Sequence, residues 1–457
     1  MNVTSTARLK VEPGGTGVAA HVGLHALGCF ADRLGLGDLF SAVIPVRGER
    51  LPVHDRGKMV VHAALMLAGG GEACSDIEVL RSQPEIFGAV ASDSTLKRVI
   101  PEEITPEVRS EVIQAIGQAR AKVWQQAGLM QGKKPIYLDI DATLIEVHSE
   151  NKEGAAPTYK KGFGFHPLLC FADGSGDAVS GMLRPGNAGS NTAEDHIQVL
   201  DAAIAALPED ISAGHHPGDD PGLVRRQLVA RTDSAGSTHD FVAAMRARNV
   251  GFMTVAGTNA QIQAAIFAAE ASPGIWKPAR RQNGKRRKRS AVAELTHLVD
   301  LSAWPEGTRL IVRREPLHPG AQRSLFPSTE YRYWGFYTDC SGSPVSLDVT
   351  MRAHAHVENH IERLKDSGLC RFPFPELEAN RTWLTLVLLA ADLVRWFQLL
   401  CMEGPWKTAR PKTLRWGIFH APGRLVRSSR QHILRILDGW PFADAITGAY
   451  GHIDALT

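Results

Sequence analysis

Cysteine is scarce and unpatterned: six thiols, at positions 29, 74, 170, 340, 370 and 401, are spread over 457 residues. No two lie close enough for a Cys-x-x-Cys pair, which excludes a zinc ribbon or a dithiol redox motif and reads as reduced, intracellular thiols. The opening stretch from Met1 to Lys10 lacks the apolar core of a signal peptide, so secretion is not expected. An uncharged run of membrane length is missing as well. The longest apolar stretch, from Trp383 to Met402, is interrupted by Asp392, Arg395 and Gln398. A charge at the centre of a span costs roughly 2.5 to 3.5 kcal/mol on insertion scales, so a buried core helix is expected and no membrane partner. Internal repeats and low-complexity tracts are also absent. Net charge is nearly absent too, with 51 Lys and Arg against 48 Asp and Glu. That average hides a segregated pattern. Residues 280–289 read Arg-Arg-Gln-Asn-Gly-Lys-Arg-Arg-Lys-Arg, and the tail carries Lys407, Arg410, Lys412, Arg415, Arg424, Arg427 and Arg430. Two such patches suit a polyanionic partner.

What the chain does contain is a pair of acids where acids are costly. Pro135-Ile-Tyr-Leu-Asp-Ile-Asp-Ala-Thr-Leu-Ile-Glu-Val147 places Asp139 and Asp141 inside an apolar, β-branched run. Strand side chains alternate between faces, so the two acids share one face and form an acidic edge. Such an edge suits Mg²⁺, which takes hard oxygen ligands and leaves positions for phosphate and water. Phosphoryl-transfer chemistry is therefore the first expectation.

The length exceeds one ordinary core, so two or three domains, or one with a large insertion, are expected. Residues 1–130 look mainly helical, with helices expected over 58–68, 96–100 and 106–128. They form either a helix-turn-helix module or a helical scaffold. From residue 135 strands are expected over 136–147, 165–171 and 178–183, with Asp173-Gly174-Ser175-Gly176 as a hairpin turn. A helix over 191–207, a strand over 223–231 ending at Asp233-Ser234, a helix over 238–249 and a strand over 252–255 complete an α/β pattern. Residues 256–338 interrupt it with the basic run, strand-like pieces at 308–314 and 330–337, and Trp276, Trp304 and Trp334. This is expected to be a mainly β insertion. Helical periodicity returns at His356 and again over 380–401.

Asp141, Asp233 and Glu358 stand on or at the ends of these elements. In open α/β sheets, ligands gather beyond the carboxyl ends of strands, where Asp233 can meet the first-strand acids and a neighbouring helix can deliver Glu358. Three carboxylates can hold two metal ions roughly 3.5 to 4 Å apart, which activate a water or 3′-hydroxyl and stabilise the leaving oxygen without a covalent enzyme intermediate. Around Glu358, Arg352, His354, His356 and Lys365 are cations able to face phosphates, although Glu362 and Arg363 mark the same helix as partly solvated.

With these motifs in hand, the chain resembles the DDE transposases of bacterial insertion sequences, most closely the insertion sequence thirteen-eighty family. The resemblance runs through Leu138-Asp-Ile-Asp-Ala-Thr143, Glu153-Gly-Ala-Ala-Pro-Thr-Tyr-Lys-Lys-Gly-Phe-Gly-Phe-His-Pro167, Leu183-Arg-Pro-Gly-Asn-Ala-Gly-Ser-Asn191, Arg231-Thr-Asp-Ser-Ala-Gly236 and Val357-Glu-Asn-His-Ile-Glu-Arg-Leu-Lys365. It implies a ribonuclease-H-like mixed sheet flanked by helices, with Asp141, Asp233 and Glu358 as catalytic and metal-binding triad and Asp139 as a rival or additional acid. It further implies Mg²⁺, with Mn²⁺ able to substitute, and double-stranded DNA as partner, both transposon ends and target. A dimer on DNA and a cytoplasmic, nucleoid-associated location are implied too. Related proteins carry a Tyr, Arg, Glu, Lys signature on the third-acid helix; Glu358 and Lys365 fit it, while Met351 and His354 occupy the Tyr and Arg places. Lys160 and Lys161 would position phosphates, as would Arg352, His354 and Lys365. A protonated His354 would do so in a pH-dependent way. Trp304 or Trp334 would stack on an extruded base or, as bulky aromatics usually do, fill a core. The implied domains are a helical, DNA-binding 1–130, a catalytic core split into 131–255 and 339–402, a β-rich insertion over 256–338, and a basic 403–457.

Two other readings compete. Leu138-Asp-Ile-Asp-Ala-Thr-Leu144 also fits the nucleophile motif of haloacid-dehalogenase-type phosphatases, with Asp139 attacking phosphate and Asp141 as acid. That class requires a later acidic pair after a strand, whereas Gly218-Asp-Asp220 lies in a His/Gly/Pro loop. A catalytically inactive, transposase-derived DNA-binding protein explains the basic patches but leaves the carboxylates without a purpose.

Overall fold

The computed structural model describes residues 14–46, 52–272, 274–317 and 331–456. The opening stretch from Met1 to Lys10 and the strand position expected at Glu330 lie outside the described residues.

Among the described residues, five helices of eight residues or more precede the central sheet: α1 (Val22–Arg33), α2 (Leu36–Val43), α3 (Arg56–Ala68), α4 (Asp93–Glu103) and α5 (Pro106–Gln126). The last begins on Thr105, whose hydroxyl accepts from the Val108 amide, with Pro106 in the first turn where a missing N–H is harmless. Helix α4 is longer than the expected 96–100. Ser92 caps it by accepting from Thr95 N at 3.3 Å, and the helix runs through Pro101.

The central sheet follows. Its first five strands are β1 (Ile136–Ala142), β2 (Leu168–Ala172), β3 (Asp177–Met182), β4 (Leu228–Thr232) and β5 (Gly251–Ala256). β1 to β3 form an antiparallel meander, β4 lies parallel to β1 on its other side, and β5 parallel to β4. The spatial order 3-2-1-4-5, with only the second strand reversed, is the ribonuclease-H-like arrangement within a mixed α/β fold. Helices α6 (Ala193–Ala205) and α7 (His239–Arg246) connect these strands. The expected strand over 136–147 stops at Ala142 and resumes as Ile145–Glu146, which joins a small separate sheet with Ala156–Pro157 and Phe163–Phe165. The expected strand over 165–171 divides at His166-Pro167, because Pro167 cannot donate to a ladder. The expected strand over 223–231 is confined to β4, its front replaced by a 3-10 turn at Pro221–Leu223.

After β5 comes α8 (Ala260–Glu270), a helix not anticipated in a stretch read as mainly β. Asn259 caps it by accepting from Ile262 N at 2.9 Å. Then β6 (Lys277–Arg280), β7 (Arg286–Glu294), β8 (Arg309–Pro316) and β9 (Tyr331–Thr338) extend the same sheet, with β9 antiparallel to β5, so that one nine-stranded sheet runs β6-β7-β8-β9-β5-β4-β1-β2-β3. Helices α9 (Pro344–Arg352) and α10 (His356–Leu364) are joined by a single 3-10 turn at Ala353–Ala355, and α10 packs on β1.

The long helix α11 (Leu377–Cys401) is the hub of the helical layer, with α1, α3, α4, α5 and β3 packed around it. It is the one helix among the described residues long and apolar enough to cross a membrane, yet 72% of its most apolar window is buried inside the protein. The groups that interrupt its apolar run have internal partners: Asp392 accepts from Arg120 and from the Ala178 amide, both at 2.7 Å, and Gln398 donates to the Ala409 carbonyl at 2.9 Å. Strands β10 (Gly423–Ser428) and β11 (Gln431–Ile436) form a hairpin, and α12 (Ala443–Ala455) returns to α11.

Candidate active site

The parallel register of β1 and β4 builds the site. Asp139 lies opposite Arg231 and Ile140 opposite Thr232, so one step further along the two strands come Asp141 and Asp233. In-register residues on parallel strands point to the same face, which brings both pairs to one side of the sheet.

The inner pair is fully engaged. Arg231 donates from Nε to Asp139 Oδ1 at 2.8 Å and from Nη2 to Oδ2 at 2.6 Å, and both side chains are buried. Nη2 of the same guanidinium also reaches Asp173 Oδ2, Nη1 donates to the Thr350 carbonyl at 2.7 Å, and its Cζ lies over the Tyr137 ring, 4.8 Å from the ring centre. His354, on the 3-10 turn before α10, places Nδ1 2.8 Å from Asp139 Oδ1. Burial works against the charged form of Asp173, but the charge and hydrogen bond of Arg231, with His356, override it and hold that acid below its usual range.

The outer acids behave differently. Asp141 is partly accessible and accepts a hydrogen bond from the Ala142 amide at 2.8 Å. Its pKa is pushed up to about 6, first by burial and then by the negative charge of Asp233, with a smaller push from Glu358; the Ala142 amide and His354 oppose the rise. Asp233 is also partly accessible and accepts from Ala235 N at 2.8 Å. The turn behind it needs a glycine: a Cβ at Gly236 would lie 2.6 Å from the Thr232 side chain. Glu358 stands exposed in the first turn of α10, whose Val357, Ile361 and Leu364 are buried at i, i+4 and i+7.

Three acids from three elements thus share one field, while the buried cation beside them, Arg231, is taken up by Asp139 and Asp173. Among the described residues no three His, Cys, Asp or Glu side chains close to ligand distance. The arrangement is an open set of mutually repelling carboxylates, not a closed cage. Hard oxygen donors with excess negative charge are the chemistry that fits a divalent cation.

The remaining expected residues are distributed unevenly. Lys160 and Lys161 are exposed on the loop before Phe163, with Lys160 Nζ 5.6 Å from the Tyr159 ring. Both Lys160 and Asp233 act electrostatically on His166, which puts this loop on the side of the acids. A Cβ on Gly186 would lie 2.2 Å from the Gly164 carbonyl oxygen, so the Arg-Pro-Gly-Asn motif reflects close backbone packing of two loops. Arg352 is bound to Asp348 at 3.0 Å and to the Arg280 carbonyl, which ties α9 to the basic hairpin. Lys365 pairs with Glu362 at 3.0 Å, and Met351 is buried. Trp304 is packed between His239 and Tyr337, at 4.4 and 4.3 Å between ring centres, and Trp334 lies under the Arg313 guanidinium.

Arg231 and Asp173 are the site residues that sequence reasoning does not single out. Arg231 stands inside a motif that carries the family resemblance, but its partner depends on the register of two strands about ninety residues apart. The phosphatase alternative loses its nucleophile, because Asp139 is 0% exposed. Its second acidic pair is committed to local turns, with Asp219 accepting from His216 N and Asp220 from Gly222 N.

The family model described as transposase DDE domain group 1 matches residues 1–457. No curated protein matches the chain. Among solved structures, the chain is similar to the cryo-EM structure of a piggyBac transposase synaptic complex with hairpin DNA, at 10% identity over 86% of this chain and 80% of that one, with a TM-score of 0.40.

Proposed function

The chain belongs to the transposase DDE domain group 1 family, and from that premise we propose that it cleaves and rejoins DNA at the terminal inverted repeats of a bacterial insertion sequence of the thirteen-eighty type. The observation that carries the reading is geometric: the parallel register of β1 and β4 brings Asp141 and Asp233 to neighbouring strand ends, and α10, which carries Glu358, packs on β1. Asp141, Asp233 and Glu358 would hold Mg²⁺, or Mn²⁺ in its place. Bound there, the ions would supply Lewis-acid polarisation of a phosphodiester. The three acids orient and neutralise nothing by themselves; their task is to gather positive charge at the strand ends. Asp139 does not touch substrate. Clamped by Arg231 and His354, it is a positioning residue that fastens β1 to β4 and to the turn before α10, and so presents Asp141 and Glu358 together.

The chemistry balances in two steps. Water adds to a phosphodiester at the element's end and leaves a 3′-hydroxyl and a 5′-phosphate. That hydroxyl then displaces a 3′-oxygen in target DNA, so one phosphodiester forms as one breaks. Exposed Lys160, Lys161 and the basic hairpin of β6 and β7 would hold the backbone, and two ends would be paired by a dimer.

The test incubates the protein with labelled repeat ends and Mg²⁺ or Mn²⁺. Wild type is expected to nick the ends and Asp233→Asn to leave them intact; identical products from both would end the catalytic reading. Inverted repeats bordered by short direct duplications around the gene would identify the element.

A further inference from the structure

A cavity of about 390 Å³ lies along a different face of α10 from Glu358. Its wall on α10 is the stripe His356, Asn359, His360 and Arg363, and the turn from Asp173 to Gly176, Arg395 of α11, Thr408 and Arg410 close the rest.

Two guanidinium groups in this wall are partnered only by neutral oxygens. Arg395 donates to the carbonyls of Ser175 at 2.6 Å and Lys407 at 2.9 Å. Arg363 donates to the Ala409 carbonyl at 2.9 Å and to Gln398 Oε1. Among the described residues neither has a carboxylate within ion-pair distance. Both are partly buried, and burial lowers both pKa values, that of Arg363 to about 10 with Arg395 as the next cause, against smaller opposing pulls from Asp366 on Arg363 and Asp177 on Arg395. Each guanidinium has five N–H donors and uses two here, so three remain on each. Partly buried charge with no acid in direct contact is costly and is usually paired.

Asp366 and Asp177 attract Arg363 and Arg395 only from beyond ion-pair distance, and the polar groups of the wall supply no counter-charge in contact. Arg410, at the mouth, is already paired with Asp366 at 3.1 Å. Asp173, the one acid in the wall, is held by Arg231 and His356. His360 stacks on Phe171 at 5.3 Å, and its buried Nδ1 has no hydrogen-bond partner. The cavity therefore combines excess positive charge, spare planar donors and an unused ring nitrogen, behind a mouth where His356, Asn359 and Arg410 are exposed.

We propose that this cavity is a phosphate-binding site in which Arg363 and Arg395 grip the two free oxygens of a DNA backbone phosphate. Planar guanidinium forks match phosphate geometry, and no base is read. Asp173 links the cavity to Arg231 and Asp139, so a phosphate seated here is registered against the carboxylate site. The phosphate chemistry stands on the cavity alone; its assignment to DNA rests on the transposase reading.

The test titrates the full-length protein with inorganic phosphate by calorimetry, then with a duplex DNA over a range of salt. Wild type is expected to bind phosphate, Arg363→Gln/Arg395→Gln to lose it, and Asn359→Asp, a change at the exposed rim that removes no internal bond, to weaken it about tenfold. The slope of log affinity for DNA against log salt should fall by about one in the double variant. Equal phosphate affinity in wild type and Asn359→Asp, or no phosphate binding by wild type, overturns the site. Loss of phosphate binding with an unchanged DNA slope assigns the cavity to free phosphate and overturns the DNA source. Because both readouts are affinities, the same measurements in Asp233→Asn keep this result separate from failure of the cleavage reading.

Discussion

Arg231 and Asp139 form a two-point ion pair between adjacent parallel strands, with both side chains essentially inaccessible to solvent. Removing one partner would leave the other charge buried alone. Arg231→Ala is expected to destabilise the fold by about 3 to 5 kcal/mol, measured by urea denaturation. Arg231→Met combined with Asp139→Leu should recover much of that loss without recovering cleavage, because packing returns but the hold on His354 does not. A single Arg231→Ala as stable as wild type would contradict the pair's importance.

The raised pKa of Asp141 predicts how cleavage responds to pH. The acid must lose its proton to bind a cation, and in the metal-free protein it does so near pH 6 because burial and Asp233 oppose its charge. At limiting Mg²⁺, cleavage should therefore rise with pH through about 6, and more Mg²⁺ should move the midpoint lower. A midpoint that ignores metal concentration would contradict this.

A second acid governs stability. One buried arginine, Arg120, contacts both Asp177 and Asp392, and burial followed by the Asp177 charge outweighs it, raising Asp392 to about 7. A carboxyl with a folded-state pKa above its unfolded value stabilises fully below about pH 4, and that contribution is lost as pH rises through about 7. Chemical denaturation between pH 4 and 7 should show stability falling, by at most about 1.4 kcal/mol per unit from this group. The slope should be shallower in Asp392→Asn; the same slope in both proteins would count against the assignment.

DNA affinity should depend steeply on salt. The exposed Arg281, Lys285, Arg286 and Lys288 lie on or beside the β6–β7 hairpin. Replacing Lys285 and Lys288 by Gln should weaken binding to all sequences alike and reduce the salt slope by about one for each phosphate that is no longer neutralised. A fluorescence-anisotropy series at several salt concentrations measures it, and an unchanged slope would remove the hairpin from the interface.

Trp304 is expected to matter for folding more than for DNA. Packed between His239 and Tyr337 and only partly buried, it should cost up to about 3 kcal/mol on Trp304→Ala, with DNA affinity unchanged at temperatures where the variant is folded. A loss of DNA affinity without loss of stability would restore the base-stacking role.

Much of the scaffold is legible along the chain because it is local. The expected helix from His356 and the apolar helix ending at Cys401 appear nearly where periodicity puts them, and the Asp173 to Gly176 turn joins β2 to β3. Helix α8 escapes a reading of the sequence because its alanine-rich run has little amphipathic contrast and follows a strand, leaving the Asn259 cap as its one clear signal. The division at Pro167 is readable in principle, since proline lacks the ladder donor.

Asp139 and Asp141 mark where local reading ends. Their spacing alone determined that they share a face, because alternation along a strand is a property of the backbone. Which acid becomes buried and paired and which stays partly accessible was decided by Arg231, Asp233 and Glu358, which reach β1 through strand register and helix packing. The sequence by itself carried the residue types, the periodicities and the segregated charge. Only the tertiary structure supplied the neighbours that distinguish two identical side chains, because desolvation and Coulomb interactions depend on distance in space and not along the chain.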